Sequence, residues 1–289
     1  SNLNRYYEAL LCFDKITKGY KDSPVAPLSL LKIGDILSDT GNYQKAVEYF
    51  QNFIDAFPNH KEMPQALYKL AINFENIGEL DNAQKILKQL WVEYPTDKHT
   101  LITAKPELTA DETYKRLLIL FKTGEYRIII KESISKEERI IMLSAKSFYH
   151  TKDYDMAIKI LKTIINNSID NRLKEEAMLW LGKAYSNIKD AEKAQAAYRE
   201  LLNVYPKGSY FDEAIYRLSI LVKEQGETAS ALKMLERLIK EYPSSQFRDD
   251  SIWQMAWINY EKGEYKEALK YLKSLQESSS DRFKKRAIY

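Results

Sequence analysis

Few residues of this sequence could carry out covalent or metal chemistry. The 289 residues include one cysteine, Cys12, and three histidines, His60, His99 and His150, which lie far apart in the chain. A structural zinc site needs four Cys or His ligands at close spacing, and these four residues are scattered along the chain. No zinc site is therefore predicted. No H-E-x-x-H, G-x-S-x-G, P-loop or G-x-G-x-x-G motif occurs. We therefore predict no catalytic residue, no metal site and no cofactor.

Cys12 and the acidic residues have simpler explanations than catalysis. Cys12 lies beside Ala9 and Phe13 on an apolar stripe, which predicts a buried and unreactive thiol. The acidic residues occur in amphipathic patterns with lysines four positions away, as at Glu236 and Lys240, and are predicted to form solvated helix faces. These residues favour a binding protein over an enzyme.

Aromatic residues are the best candidates for binding. Trp253, Trp257 and Tyr260 are spaced i, i+4, i+7 and therefore share one helix face. Aromatic anchors of this kind dominate binding hot spots. Two interpretations stay open, because the three side chains could contact a partner or could pack on a following helix or domain.

Internal repeats define the elements that must position these residues. A six-residue segment that ends in alanine recurs, with a 37-residue step within each run, at 41–46, 78–83, 152–157, 189–194, 226–231 and 263–268. An aromatic-proline pair follows at 57–58, 94–95, 205–206 and 242–243. Between these marks apolar residues have helical spacing, as at Ala194, Ala197, Tyr198 and Leu201. Each repeat is therefore predicted to be two helices, with a turn at the glycine and an end at the aromatic-proline pair.

The pattern resembles the tetratricopeptide repeat family. In one repeat the family positions fall on Gly34, Leu37, Gly41, Phe50 and Pro58, and in another they fall on Gly182, Tyr185, Tyr198 and Pro206. The resemblance implies an all-α fold, a right-handed superhelical solenoid of antiparallel helix pairs.

The repeat spacing changes in one region. The turn at Gly124 lies out of register, which predicts an inserted loop at 96–106 and a short second helix at 128–132. The predicted organisation is repeats over 1–95, an irregular repeat over 96–136 and repeats over 137–289. The first segment, 4–13, aligns with 41–50, and a further repeat would begin near residue 282. The chain is therefore expected to start and end inside repeats of a longer protein.

The resemblance also implies where partners bind. In this family the first helices of successive repeats line a concave groove that holds protein or peptide segments. The groove positions carried over are Tyr68, Ile72, Glu75, Met142, Lys146, Tyr149, Leu179, Lys183, Ser186, Tyr216, Ile220, Lys223, Trp253, Trp257 and Tyr260. The site residues predicted among them are Tyr68, Ile72, Tyr149, Lys183, Tyr216, Lys223, Trp253, Trp257 and Tyr260. The Lys and Asn pair of carboxylate-binding members is not found, so recognition is expected to be apolar and aromatic.

Within the family, the 37-residue step is similar to that of bacterial cell-envelope members, such as the lipoprotein of the barrel-assembly machinery and the Tol-associated coordinator. The resemblance implies a non-enzymatic interaction scaffold that is periplasmic or associated with the outer membrane. The alternative is the helical region of soluble lytic transglycosylases, which the stretches 257–268 and 282–289 resemble. The catalytic glutamate of such an enzyme would lie beyond Tyr289.

Charge and hydropathy narrow the partner class. The 44 Lys and Arg nearly balance the 41 Asp and Glu, so the net charge is only +3. Nucleic-acid binding proteins usually carry a clear basic excess, and RNA-binding repeats also need recurring polar pairs. No stretch approaches the ~20 apolar residues of a membrane span. We therefore predict a protein or peptide partner, no nucleic acid and no membrane span, with no indication of oligomeric state.

Overall fold

The computed structural model describes residues 2–20 and 23–276, which form sixteen helices and no strand. This confirms the all-helical fold class. The further repeat expected near residue 282 lies outside the described residues. Contacts divide the chain into two compact units, unit 1 with residues 1–128 and unit 2 with residues 129–289.

Unit 1 is built from helices that pack against their neighbours in sequence. Its helices are α1 (Asn2–Gly19), α2 (Ala26–Asp39), α3 (Tyr43–Ala56), α4 (Met63–Asn76), α5 (Leu80–Glu93), α6 (Lys98–Leu101), α7 (Ala110–Lys122) and the start of α8 (Tyr126–Glu132). Phe50, Phe53, Leu67 and Leu70 are fully buried in its core. The segment 102–109 contains no helix, and α8 has only seven residues.

Unit 2 contains four regular helix pairs. They are α9 (Glu138–His150) with α10 (Tyr154–Asn167), α11 (Asn171–Asn187) with α12 (Ala191–Val204), α13 (Phe211–Glu224) with α14 (Thr228–Glu241), and α15 (Arg248–Glu261) with α16 (Tyr265–Gln276). One apolar core, which includes Leu161, Ala177, Tyr198, Leu218 and Leu235, connects these pairs. Among the described helices of the chain, none combines the length and apolar character needed to cross a bilayer.

The turn inside each repeat has one recurring geometry. At the end of α2, Gly41 has φ +75° and the Asn42 N–H donates to the Leu37 carbonyl over 2.8 Å. This bond is typical of a helix end whose next residue is left-handed. Lys152 and Lys189 occupy the same turn position with φ +66° and +61°. The repeat therefore imposes the left-handed conformation even where glycine is absent.

The crossing inside each pair depends on a small residue in the first helix. A Cβ on Gly34 would lie 2.7 Å from the Phe50 ring, and a Cβ on Gly182 would overlap the Tyr198 ring. The other regular repeats have alanine or serine at this position and leucine opposite it, at Ala71/Leu87, Ala145/Leu161, Ser219/Leu235 and Ala256/Leu272. The sizes of the two residues therefore compensate each other from repeat to repeat.

The prediction of a buried Cys12 is wrong, because the side chain is exposed. The inner face of α1 includes Ala9, Phe13 and Ile16, which are partly buried. Adjacent helix residues project about 100° apart, so Cys12 points away from the face that contains Phe13. Proximity to apolar residues in sequence did not place the thiol on their face.

Candidate protein-binding site

The predicted binding residues fall on first helices of the repeats. Seven of them lie in unit 2, on α9, α11, α13 and α15, and Tyr68 and Ile72 lie on α4 of unit 1. The two sets therefore belong to different units.

In unit 1, Tyr68 and Ile72 line a small depression between α2 and α4. Both side chains are half-buried. Lys69 forms an ion pair with Asp35 at the same depression. The Tyr68 ring lies 5.4 Å from the His99 ring on α6. Tyr68 is therefore held by its neighbours and offers only part of its ring to a ligand.

In unit 2, an aromatic and cationic cluster joins α9 and α11. This Trp180 cluster consists of Lys146, Tyr149, His150, Trp180 and Lys183. The Tyr149 ring meets the Trp180 ring edge-on with 5.0 Å between centroids, and its hydroxyl accepts a hydrogen bond from Asn187 over 2.8 Å. The Lys183 ammonium lies 3.9 Å from the centre of the Trp180 ring, and the Lys146 ammonium lies 5.6 Å from it. Both distances fall within the range of cation–π attraction.

Each lysine of this cluster also forms an ion pair with the next first helix. Lys146 pairs with Glu176 on α11, and Lys183 lies 3.4 Å from Glu213 on α13. Burial lowers the pKa of Lys183, while Glu213 opposes this shift. Burial and the two lysines also lower the pKa of His150. The cluster is therefore ordered by its own contacts.

The predicted residues on α13 are engaged by the following repeat. The Tyr216 ring is half-buried and stacks on Phe247 with 5.2 Å between centroids. Lys223 lies 3.4 Å from Glu261 on α15. This contact extends the series of lysine–glutamate pairs between first helices as far as α15.

The aromatic residues of α15 separate into two kinds. Trp253 is half-buried and packs on the cluster formed by Ile252 and Leu275. Trp257 and Tyr260 are 45% and 55% exposed, and their rings stack at 5.6 Å. The helix face predicted from the sequence therefore contains one packing residue, Trp253, and two residues that face solvent.

The exposed pair is ordered by polar and aromatic contacts. The Trp257 indole N–H donates to Glu261 over 2.7 Å. The Tyr260 ring lies 5.5 Å from the ring of Tyr265 on α16. We use the name aromatic pair for Trp257 and Tyr260. Its rings are held in place and accessible, which are the properties of a binding anchor.

Trp180 is not among the residues predicted from the sequence, and two residues predicted to lie in the groove are buried. Met142 and Leu179 belong to the core of unit 2, so their assignment as groove residues is wrong. Trp180 has no aromatic equivalent one repeat away, at Leu143 or Arg217. The available signal was the pair Lys146 and Lys183, which repeats at 37 residues beside it.

This site is suited to non-covalent contacts. In the part of the chain that the structure describes, no group of three or more His, Cys, Asp or Glu residues could hold a metal ion. The surface instead offers aromatic rings and paired charges.

Comparison with protein families agrees with this architecture. A tetratricopeptide repeat model matches residues 28–60, 65–97 and 250–281. Over these three segments the chain is similar to tetratricopeptide repeats. Residues 136–261 match a second model, YfiO, described as an outer membrane lipoprotein. That match lies within unit 2 and includes the Trp180 cluster and the aromatic pair. It also agrees with the resemblance to cell-envelope members of the family.

The chain is also similar to solved structures. MamA from AMB-1 is 14% identical, with 56% of this chain and 94% of that chain covered and a TM-score of 0.45. The C-terminal part of a TPR repeat-containing protein from Cytophaga hutchinsonii is 13% identical, with 86% and 95% covered and a TM-score of 0.43. No curated protein matches the chain.

Proposed function

We propose that this protein is a non-enzymatic scaffold that docks protein or peptide segments on the first helices of unit 2. The observation that carries the proposal is the aromatic pair, in which Trp257 and Tyr260 are exposed yet ordered by Glu261 and Tyr265. Binding would cost little side-chain entropy because the rings are already fixed. An apolar or aromatic side chain of the partner would contact these rings.

The Trp180 cluster supplies a second, polar part of the same proposed function. Lys146 and Lys183 each form an ion pair with a glutamate and a cation–π contact with the Trp180 ring. The Lys183 ammonium has three N–H donors, so it can donate further to carbonyl groups of a partner. These contacts would orient a segment that the aromatic pair anchors.

The tetratricopeptide repeats and the outer membrane lipoprotein model support a protein-interaction scaffold of the cell envelope. We extend this to a periplasmic or outer-membrane-associated site of action. Neither matched model describes a lytic transglycosylase, so we do not propose that alternative.

Site-specific photo-crosslinking in cells tests the docking surface. A photoreactive phenylalanine at Tyr260 is expected to give a defined protein adduct. The same group at Met156, which is exposed on the second helix α10, serves as the control and is expected to give none. Adding Trp257→Ala should reduce the Tyr260 adduct at least about five-fold with unchanged circular dichroism, because hot-spot anchors carry most of the binding energy.

Three results would contradict the proposal, two of them from crosslinking and one from circular dichroism. One is the absence of an adduct at Tyr260, and the other is the same adduct at Tyr260 and Met156. If Trp257→Ala removes helical signal together with the adduct, Trp257 packs the array and its docking role is rejected.

A further inference from the structure

Unit 2 has a second surface feature, a groove between the second helices α12 and α14 with α13 beneath it. We name it the α12–α14 groove. Residues of all three helices line it, and they include Arg199, Leu202, Ile215, Lys233, Met234 and Arg237. None of them belongs to the Trp180 cluster or the aromatic pair.

The floor of the α12–α14 groove is apolar. Ile215 and Leu218 of α13 are buried by the surrounding helices. Leu202 on α12 and Met234 on α14 are only half-buried and form the accessible part of the floor. An apolar side chain placed here would remove further Leu and Met surface from water, which is favourable.

The walls of the groove are cationic on both sides. Arg199 is exposed on α12, and Lys233 and Arg237 are exposed one turn apart on α14. The described residues that line the groove include no carboxylate. Glu241 pairs with Arg237 at 3.0 Å, and the guanidinium lies 4.8 Å from the centre of the Phe211 ring. Arg237 is thus fixed in place, while Arg199 and Lys233 supply net positive charge.

The equivalent positions one repeat earlier show that the repeat does not require these cations. One repeat earlier, between α10 and α12, Lys162 corresponds to Arg199, Ala196 to Lys233 and Glu200 to Arg237. The three positions therefore carry three cations in the α12–α14 groove. One repeat earlier they carry one cation, one alanine and one anion. The charge is a property of the α12–α14 groove.

We propose that the α12–α14 groove binds an acidic amphipathic helix of a partner protein. The apolar stripe of that helix would lie on Leu202 and Met234, and its carboxylates would face Arg199, Lys233 and Arg237. A helix laid along α14, which has 14 residues, would be about 21 Å long. Helix-in-groove binding of this kind combines apolar anchors with charge complementarity.

The test uses the full chain and a synthetic probe. The probe is a fluorescein-labelled 14-residue peptide, held helical by a side-chain cross-link, with leucine at i, i+3, i+4 and i+7, glutamate at the positions that flank them and alanine elsewhere. Its binding is measured by fluorescence anisotropy. We expect Arg199→Glu with Lys233→Glu to weaken binding at least ten-fold. The control variant Lys162→Glu, at the position equivalent to Arg199 one repeat earlier, is expected to change binding less than two-fold. Raising the salt to 0.5 M should also weaken binding, since exposed charges are screened.

A variant at the other surface separates this proposal from the docking function. Trp257→Ala is expected to leave peptide binding unchanged, so either proposal can fail alone. Equal binding of the peptide with glutamine in place of glutamate would overturn the acidic-helix assignment, and so would equal loss in Lys162→Glu. Binding to phosphatidylglycerol vesicles without binding to the peptide would assign the groove to a membrane surface instead. Circular dichroism of every variant excludes unfolding as the cause of a loss.

Discussion

At the scale of single residues, the turn lysines Lys152 and Lys189 carry backbone strain. Both have positive φ at the position where five other turns have glycine. A left-handed conformation costs a residue with a Cβ about 1–2 kcal/mol, whereas glycine adopts it freely but loses more entropy on folding. We expect Lys189→Gly to raise the free energy of unfolding by about 0.5–1 kcal/mol. Urea unfolding followed by circular dichroism measures this change.

The matched control is Lys189→Ala, which removes the same charge and keeps the Cβ. It should give no gain, because alanine in the left-handed region is as strained as lysine. A similar gain in both variants would attribute the effect to the lysine side chain instead of the turn.

Individual residues also show which features of the structure could be predicted from the sequence. The glycine turns are confirmed, because a left-handed residue is a local requirement that one residue type meets. Cys12 was misplaced because one step along a helix changes the face. Trp180 was missed because its role arises from Lys146 and Lys183 on two helices. The predicted binding residues stay predictions until a partner contact is measured.

At the scale of the helix pair, Gly182 and Tyr198 form one packing unit. A Cβ at Gly182 would overlap the buried Tyr198 ring. We expect Gly182→Ala to destabilise the chain by about 1–3 kcal/mol, the usual cost of overpacking. Tyr198→Leu alone should also destabilise it, because it leaves a cavity. The double variant recreates the Ala145/Leu161 combination and should recover most of the loss, as chemical denaturation of the four proteins would show.

Additive losses of stability in the Gly182→Ala and Tyr198→Leu variants would contradict this packing of Gly182 against Tyr198.

The helix pairs themselves were predictable, because the aromatic-proline ends and the small crossing residues recur in each regular repeat. The structure ends α12 at Val204, directly before Tyr205 and Pro206. The burial of Trp253 and the exposure of Trp257 could not be predicted from the sequence. The difference depends on the contact of Trp253 with the cluster that includes Leu275 of α16.

At the scale of the whole molecule, stability is expected to be distributed along the array. Each regular helix packs mainly on its neighbours in sequence, as in other repeat proteins. The division into units falls at residues 128 and 129, within the short helix α8. A local change in packing should therefore destabilise the adjacent helices most. Its effect on stability should decrease with distance along the chain.

Hydrogen exchange of two glycine variants tests this expectation. Gly34→Ala places a Cβ against Phe50 in unit 1, and Gly182→Ala places one against Tyr198 in unit 2. We expect the first to increase amide exchange in α2 to α4 and the second in α10 to α13, each by the factor that corresponds to its loss of stability. Exchange in the other unit should keep its wild-type rate. Equal acceleration in both units by either variant would mean that the chain opens as one cooperative body, and the nearest-neighbour description would then be wrong.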